Sequence, residues 1–454
     1  MKLFGWKRDS FRFFGIKILR RKKVRLGVVY MFVGIVPIFF IYSPLEGISK
    51  DFSLKMPLNT QKMDERVKEV ADKLPILTNT EITGRGLIIL ATEIYDMGGH
   101  TECIKNIVSA IPEHIRVKVL LTRIDSSFMY APKKIKEIAS YTIIDGVQYS
   151  GSEWKIKIYE LFNKIMQDKP KTILSFIHMD DSFGAALLSM LKRAGINILY
   201  FNHGSHYPAL GMSFADVILE GTETTEKITR EQRGFKNTRI VGLPYLKEAD
   251  LPNFSIEEVE DIRKKLTVNI NNILTMSGAT SYKFFNEEKT ESLYFDMIKR
   301  LLNKNHNMIH VVITNPFNYA EKIKFDEIFS SSDLTSRVKI LKNTPDYKIL
   351  FKAADIFIDS FPISSALTQI DLLSLKVPNV VKINKENPIW TFHEYMPERY
   401  PYAFETIEGM ECGIQDLIDN PSKRIAIKES NYKFFLDNYE GKKWIQHLLD
   451  LTND

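Results

Sequence analysis

From residue 85 onward the chain alternates short apolar runs with stretches whose apolar positions recur at helical spacing. Leu87–Leu90, VKVLLT (117–122), KTILSFI (171–177), NILYFN (197–202), DVILEG (216–221) and TRIVGL (238–243) have the length and the Ile, Leu and Val content of strands buried on both faces. Between them, GGHTECIKNIVSAI places Cys103, Ile104, Ile107 and Val108 on one helical face, and SFGAALLSMLKRAG reads as a helix closed by Gly195. Such alternation builds a mostly parallel sheet with helices on both sides. After VGLP (241–244) and the helix IEEVEDIRKKL, a second series follows: NILTMSG, HVVITN, RVKIL, DIFIDSF and NVVKI.

The pattern predicts an α/β fold of the GT-B type, two doubly wound Rossmann-like domains facing a cleft, with an N-terminal membrane-associated segment. The predicted boundaries are 1–45 for that segment, 46–84 for a linker with one short helix around Met63–Leu74, 85–245 and 246–400 for the two Rossmann-like domains, and 401–454 for C-terminal helices. Residues Leu26–Leu45 carry no charge and follow the basic cluster Arg20–Arg25, as in a membrane helix. Gly34 and Pro37 interrupt that run. The stretch FRFFGIKIL also resembles YMFVGIVPIF further on, which suits paired strands or a hairpin at a surface. Span and hairpin both stay open, and either would put residues 1–45 on a membrane surface, with the protein at the cytoplasmic face. A lumenal, Golgi-type orientation is the less favoured alternative.

Charge changes the picture once it is located. Of 62 Lys and Arg, ten lie in residues 1–25 beside one acid, leaving 52 basic residues against 55 acidic ones in the remainder. The net charge of +6 therefore belongs to the N-terminus and suits anionic lipid, not nucleic acid. Two cysteines, Cys103 and Cys412, form no disulfide framework and fit a reducing compartment.

In open α/β sheets ligands sit beyond the carboxyl ends of the strands. Four segments occupy such places. In MGGHTE, Gly98 and Gly99 let backbone N–H groups approach a ligand, and His100 is either a general base or a helix cap. In IHMDDSFG, His178 is a cleft candidate, whereas one of Asp180, Asp181 and Ser182 caps the next helix. In FNHGSHYPALG, a metal reading of His203 and His206 lacks further ligands, so Asn202 and both histidines read as hydrogen-bonding groups toward a polar ligand. In the second half, Ser277 and Lys283 follow a strand, and Ser364, Ser365 and Thr368 lead into a helix whose N-terminus suits a pyrophosphate. Asp371, about one turn inward, is placed to accept from ribose hydroxyls.

NILYFNHGSHYPALGMSFADVILEGTE and IHMDDSFGAALL resemble segments of bacterial GT-B glycosyltransferases of surface-polysaccharide and glycoprotein synthesis. ADIFIDSFPISSALTQIDLLSLKVP resembles the donor segment of adhesin N-glucosyltransferases and O-linked N-acetylglucosamine transferases. The resemblance spans roughly residues 85–400. It implies an enzyme that moves a hexose from a nucleotide-sugar to a glycan, lipid-linked or protein acceptor, without a metal or other cofactor. Lys283, Ser365 and Thr368 would hold the donor diphosphate and Asp371 the ribose, with His100 and the His203–His206 loop on the acceptor side. Retaining members carry two glutamates ahead of the Pro that matches Pro378; here Ile363 and Asp371 stand at those positions, so the resemblance implies inversion. The loop 364–368 also departs from the family's Gly and Thr. A nucleotide-sugar epimerase and a non-catalytic glycan-binding protein are the competing readings.

Overall fold

The computed structural model describes residues 5–7, 10–13, 16–19, 28–33, 36–41, 43–53, 56–76, 84–96, 98–148 and 151–453. The first five strands are short: β1 (Gly5–Lys7), β2 (Ser10–Phe13) and β3 (Ile16–Leu19) form one antiparallel sheet, and β4 (Val28–Val33) pairs antiparallel with β5 (Val36–Ile41). The membrane-associated segment expected over residues 1–45 is thereby corrected. Among the described residues no helix is long and apolar enough to cross a membrane. The assignments to a membrane surface and to the cytoplasmic membrane face fall with it. An uncharged run of this length serves a helix or a strand pair equally, and Pro37 within it denies a helix one backbone donor.

Seven parallel strands make the first large sheet: β6 (Gly84–Ala91), β7 (Val117–Leu121), β8 (Ile143–Gly146), β9 (Pro170–Phe176), β10 (Asn197–Phe201), β11 (Val217–Glu220) and β12 (Thr238–Ile240). Their spatial order is β12-β11-β10-β9-β6-β7-β8. The second sheet holds β13 (Ile273–Gly278), β14 (Met308–Thr314), β15 (Val338–Lys342), β16 (Ile356–Ile358), β17 (Asn379–Lys382) and β18 (Ala403–Phe404), in the order β15-β14-β13-β16-β17-β18, again parallel. Central strands such as Pro170–Phe176 and Met308–Thr314 are apolar-rich because both of their faces are buried, whereas Val338–Lys342 and Thr238–Ile240 at the sheet edges are partly exposed.

Three cores result. One lies on the outer face of each sheet, and the third runs from Ile89 and Phe201 of the first sheet through Tyr245 to Ile358 and Ile370 of the second. The C-terminal helix Gly441–Asn453 returns to the first lobe, where the Trp444 ring meets Phe201 edge-on at 6.3 Å.

Residues 46–84 read from sequence as a linker with one short helix, yet two helices in and beside that range pack into the first lobe. Helices Pro44–Asp51 and Gln61–Ala71 bury Leu45, Ile48, Met63, Val67 and Ala71 against the same core as Phe183 and Leu187. Burial of each large aliphatic chain contributes about 1.5–3 kcal/mol. Their polar groups reach the loop after β10: Asp64 accepts from Gly211 N at 2.7 Å and from Ser213 Oγ at 2.6 Å, and Thr60 donates to Ala209 O at 2.5 Å. Gly211, at φ 89°, makes the turn there that an L side chain would resist.

Candidate active site

Three histidines meet at the carboxyl edge of the first sheet, one from the loop after β6, one after β9 and one after β10. The ring of His100 lies 4.6 Å from that of His203 and 5.1 Å from that of His178. His100 opens the helix Gly99–Ala110, and its Nε2 is 2.8 Å from the carbonyl oxygen of Phe176. A carbonyl only accepts, so Nε2 carries the proton and Nδ1 holds the lone pair. That Nδ1 is buried and has no hydrogen-bond partner. Burial lowers the pKa of His100, and lowers His178 to about 2 and His203 to about 3, keeping all three imidazoles neutral near pH 7. Among the described residues no group of three or more His, Cys, Asp or Glu is placed to hold a metal ion.

The NHGSHY loop is fixed from beneath. Asn202 donates to Glu220 Oε1 at 2.9 Å, and the fully buried Arg233 donates to the carbonyls of Ser205 and Tyr207 at 2.6 and 2.8 Å. Asn202 thus faces the protein interior and not the cleft, whereas His206, lowered to about 4 mainly by burial, lies within the field of Lys283 across the cleft. Capping of the helix Ser182–Arg193 falls to Asp181, which accepts from Gly184 N at 2.8 Å.

On the second sheet, Lys283 donates to Ser364 O at 2.7 Å and to Ser365 Oγ at 3.1 Å. Burial lowers its pKa to about 8. Ser364 is buried and donates to Asp359 Oδ2 at 2.5 Å. Ser365 precedes the helix Ala366–Ser374 without capping it, and half-buried Thr368 lies in its first turn. The first-lobe helix beginning at Gly99 also lacks a side-chain cap, and Gly98 before it takes φ 141°, ψ 143°. These two helix starts touch: a Cβ on Gly99 would stand 3.8 Å from Leu367 Cβ. Two sets of free N–H groups and an amine therefore bound one place, which suits an anion.

No protein-family model matches the chain, and no curated protein matches it. Solved structures do. A glycosyltransferase from Rickettsia africae superposes with a TM-score of 0.63 at 12% identity, covering 82% of this chain and 98% of that one. Anabaena Alr3699/HepE, in complex with UDP and glucose, gives 0.62 at 15%, covering 82% and 100%. The O-GlcNAc transferase of Thermobaculum terrenum gives 0.55 at 11%, covering 90% and 76%. The fold is GT-B.

Within this GT-B cleft, two predicted donor residues are turned away from open space. Ser277 is fully buried, donates to Ile358 O at 2.7 Å and bonds Tyr294 Oη. Asp371 is fully engaged: Tyr245 Oη donates to Oδ1, Tyr347 Oη to Oδ2 at 2.9 Å, and Lys348 Nζ sits 3.1 Å from Oδ1. It does not stand open to a ribose. Sequence reasoning passed over Glu220, raised to about 7 by burial, and Arg233. A charged residue ending the apolar run DVILEG was the available signal for Glu220. It also passed over Glu93, Tyr95 and Arg123, which gather beside His178.

Proposed function

We propose that the protein transfers a hexose from a nucleoside-diphosphate sugar to an acceptor hydroxyl, with inversion at the anomeric carbon and without a metal. The observation that carries this reading is the meeting of the two uncapped helix starts beside Lys283, with His100 in the first turn of one of them and its Nδ1 unpartnered. In the transfer step the acceptor oxygen bonds the anomeric carbon while its proton passes to His100 Nδ1. The bond from that carbon to the diphosphate breaks, and the electron pair leaves with the diphosphate. Lys283 and the N–H groups at residues 99–101 and 366–368 stabilise the charge that gathers there, which is the usual source of the largest rate term. Ser365 and Thr368 supply hydroxyls beside it. The solved complex of the Anabaena protein with UDP and glucose supports the donor class.

A panel of nucleoside-diphosphate sugars tested by thermal shift checks the donor half, since selective binding raises the melting temperature by mass action. Incubation of the stabilising donor without acceptor separates the epimerase alternative, because isomerised donor would overturn transfer. The absence of any shift across the panel would favour the non-catalytic reading.

A further inference from the structure

A fixed aromatic platform lies at the rim of the first sheet, outside the residues assigned to proton or phosphate. Tyr95 is 38% exposed, and one face of its ring is parallel to His178, with 3° between planes and 5.4 Å between centroids. Its Oη is 3.2 Å from Nε2 and 3.3 Å from Nδ1 of that imidazole. Near-equal distances to both nitrogens of a parallel ring put the oxygen above the ring face, so this contact is a stack. The hydroxyl donates instead to Glu93 Oε1 at 2.8 Å. Glu93 also accepts from Ser126 Oγ at 2.5 Å and lies 3.6 Å from Arg123 Nη1. Held at its base and its tip, the ring loses little entropy when a ligand covers it.

We propose that this platform is a subsite for a neutral sugar of the acceptor, whose C–H face stacks on Tyr95 and whose hydroxyls bond Glu93 and Arg123. The inference rests on the transferase reading and narrows its acceptor to a hydroxyl-rich glycan or glycoside. Three features carry it. Tyr95 adjoins both His100, at 6.3 Å between ring centroids, and His178, so a sugar seated there places a hydroxyl at the histidine cluster. The rim bears Glu93 and Asp180 against Arg123, with Asp96 next to Tyr95 in the chain, an acidic balance that repels uronic or phosphorylated acceptors. Asp96 also holds a buried Oδ1 without a partner, an acceptor that a sugar hydroxyl satisfies.

The test uses the full chain and three probe sets: neutral oligosaccharides, their uronic-acid counterparts, and Ser-, Thr- and Asn-containing peptides, each titrated with UDP present. Binding of a neutral oligosaccharide is expected, weakened roughly tenfold in Tyr95→Ala and within about threefold of the original in Tyr95→Phe, which keeps the ring. Preference for the acidic glycans or the peptides would overturn the proposal. So would neutral-glycan affinity that Tyr95→Ala leaves unchanged, or no binding to any neutral member. If Tyr95→Ala does not fold, the wild-type preference and Tyr95→Phe still decide. Donor thermal shifts on the same preparation report separately on the transferase reading: a glycan bound with no donor shift would sink transfer and leave the subsite standing.

Discussion

The first turn of the helix at Gly99 touches the first turn of the helix at Ala366, with Leu367 Cβ 3.8 Å from where a Cβ of Gly99 would stand. This contact joins the lobes at the proposed diphosphate, and the backbone of Gly98 sets the approach. Space around Gly98 is open, yet its φ of 141° is one that only glycine adopts readily. Gly98→Ala should therefore cost about 1–3 kcal/mol through backbone strain alone, read as a lower melting temperature and weaker donor binding. Gly47→Ala is the control. Gly47 lies inside the helix Pro44–Asp51 with nothing within 4 Å, so that change should stabilise by roughly 0.5–1 kcal/mol.

His100→Ala should slow transfer by about 10²–10⁴ while donor binding persists, the loss expected of a general base. His100→Gln restores a donor to Phe176 O without a basic nitrogen, so it should recover stability and not turnover. His203 carries the same signature, a buried Nδ1 without a partner and a backbone hydrogen bond at Phe201, so His203→Ala measures the rival assignment and should slow transfer far less if His100 is the base. Single-turnover rates for the three variants check the assignment, and equal losses at His100 and His203 would refute it.

How much of this was legible depended on whether the signal was local. Strands such as Ile273–Gly278 and Met308–Thr314 show as short runs rich in apolar residues because both faces of the sheet are covered there. The positions of His100, His178 and His203 follow from the same rule, since each lies just after a strand. The role of Asp371 was not legible: its partners Tyr245, Tyr347 and Lys348 are distant in sequence or on another helix, and only packing unites them. Nor was the docking of the helices Pro44–Asp51 and Gln61–Ala71, where a few apolar residues such as Leu45 and Val67 lie in a polar composition. The run from Leu26 to Leu45 left a span and a hairpin open, and Val28–Val33 pairs antiparallel with Val36–Ile41. Apolar length alone does not distinguish a helix from paired strands.

Donor affinity should depend on pH through Lys283. Burial brings its amine down to about 8, so the free protein carries the ammonium below that pH and loses it above. A diphosphate binds the charged form, and its affinity should fall by up to ~10-fold per unit above about pH 8, with proton uptake in calorimetry. Stability shifts the other way. Between about 8 and the ordinary lysine value the unfolded chain binds more protons, so the contribution of Lys283 to stability rises with pH. Unfolding therefore does not account for a loss of affinity in that window. Lys283→Arg stays charged throughout and should give a flat profile.

Asp371 ties the lobes together behind the site, and this gives the sharpest structural prediction. The connecting segment is held on one side by Asn106 Nδ2, which donates to Pro244 O at 3.1 Å, and on the other by Tyr245 Oη, which donates to Asp371. Asn106 lies on the helix that starts at Gly99, and Asp371 on the helix that starts at Ala366. One chain segment thus fixes both helices whose starts meet at the proposed diphosphate. Asp371→Ala strands the buried Lys348 ammonium and should cost about 3–5 kcal/mol. Tyr245→Phe removes the hydroxyl's bonds to Asp371, Ser374 and Lys348 and leaves the ion pair, so about 1–3 kcal/mol is expected. The double variant should cost less than the sum, because the two side chains share the bond. Denaturant melts measure these terms, and strict additivity would mean that Tyr245 and Asp371 do not act together. Tyr245→Phe should also weaken donor binding with the acceptor subsite intact, since only the spacing of the two helix starts is loosened.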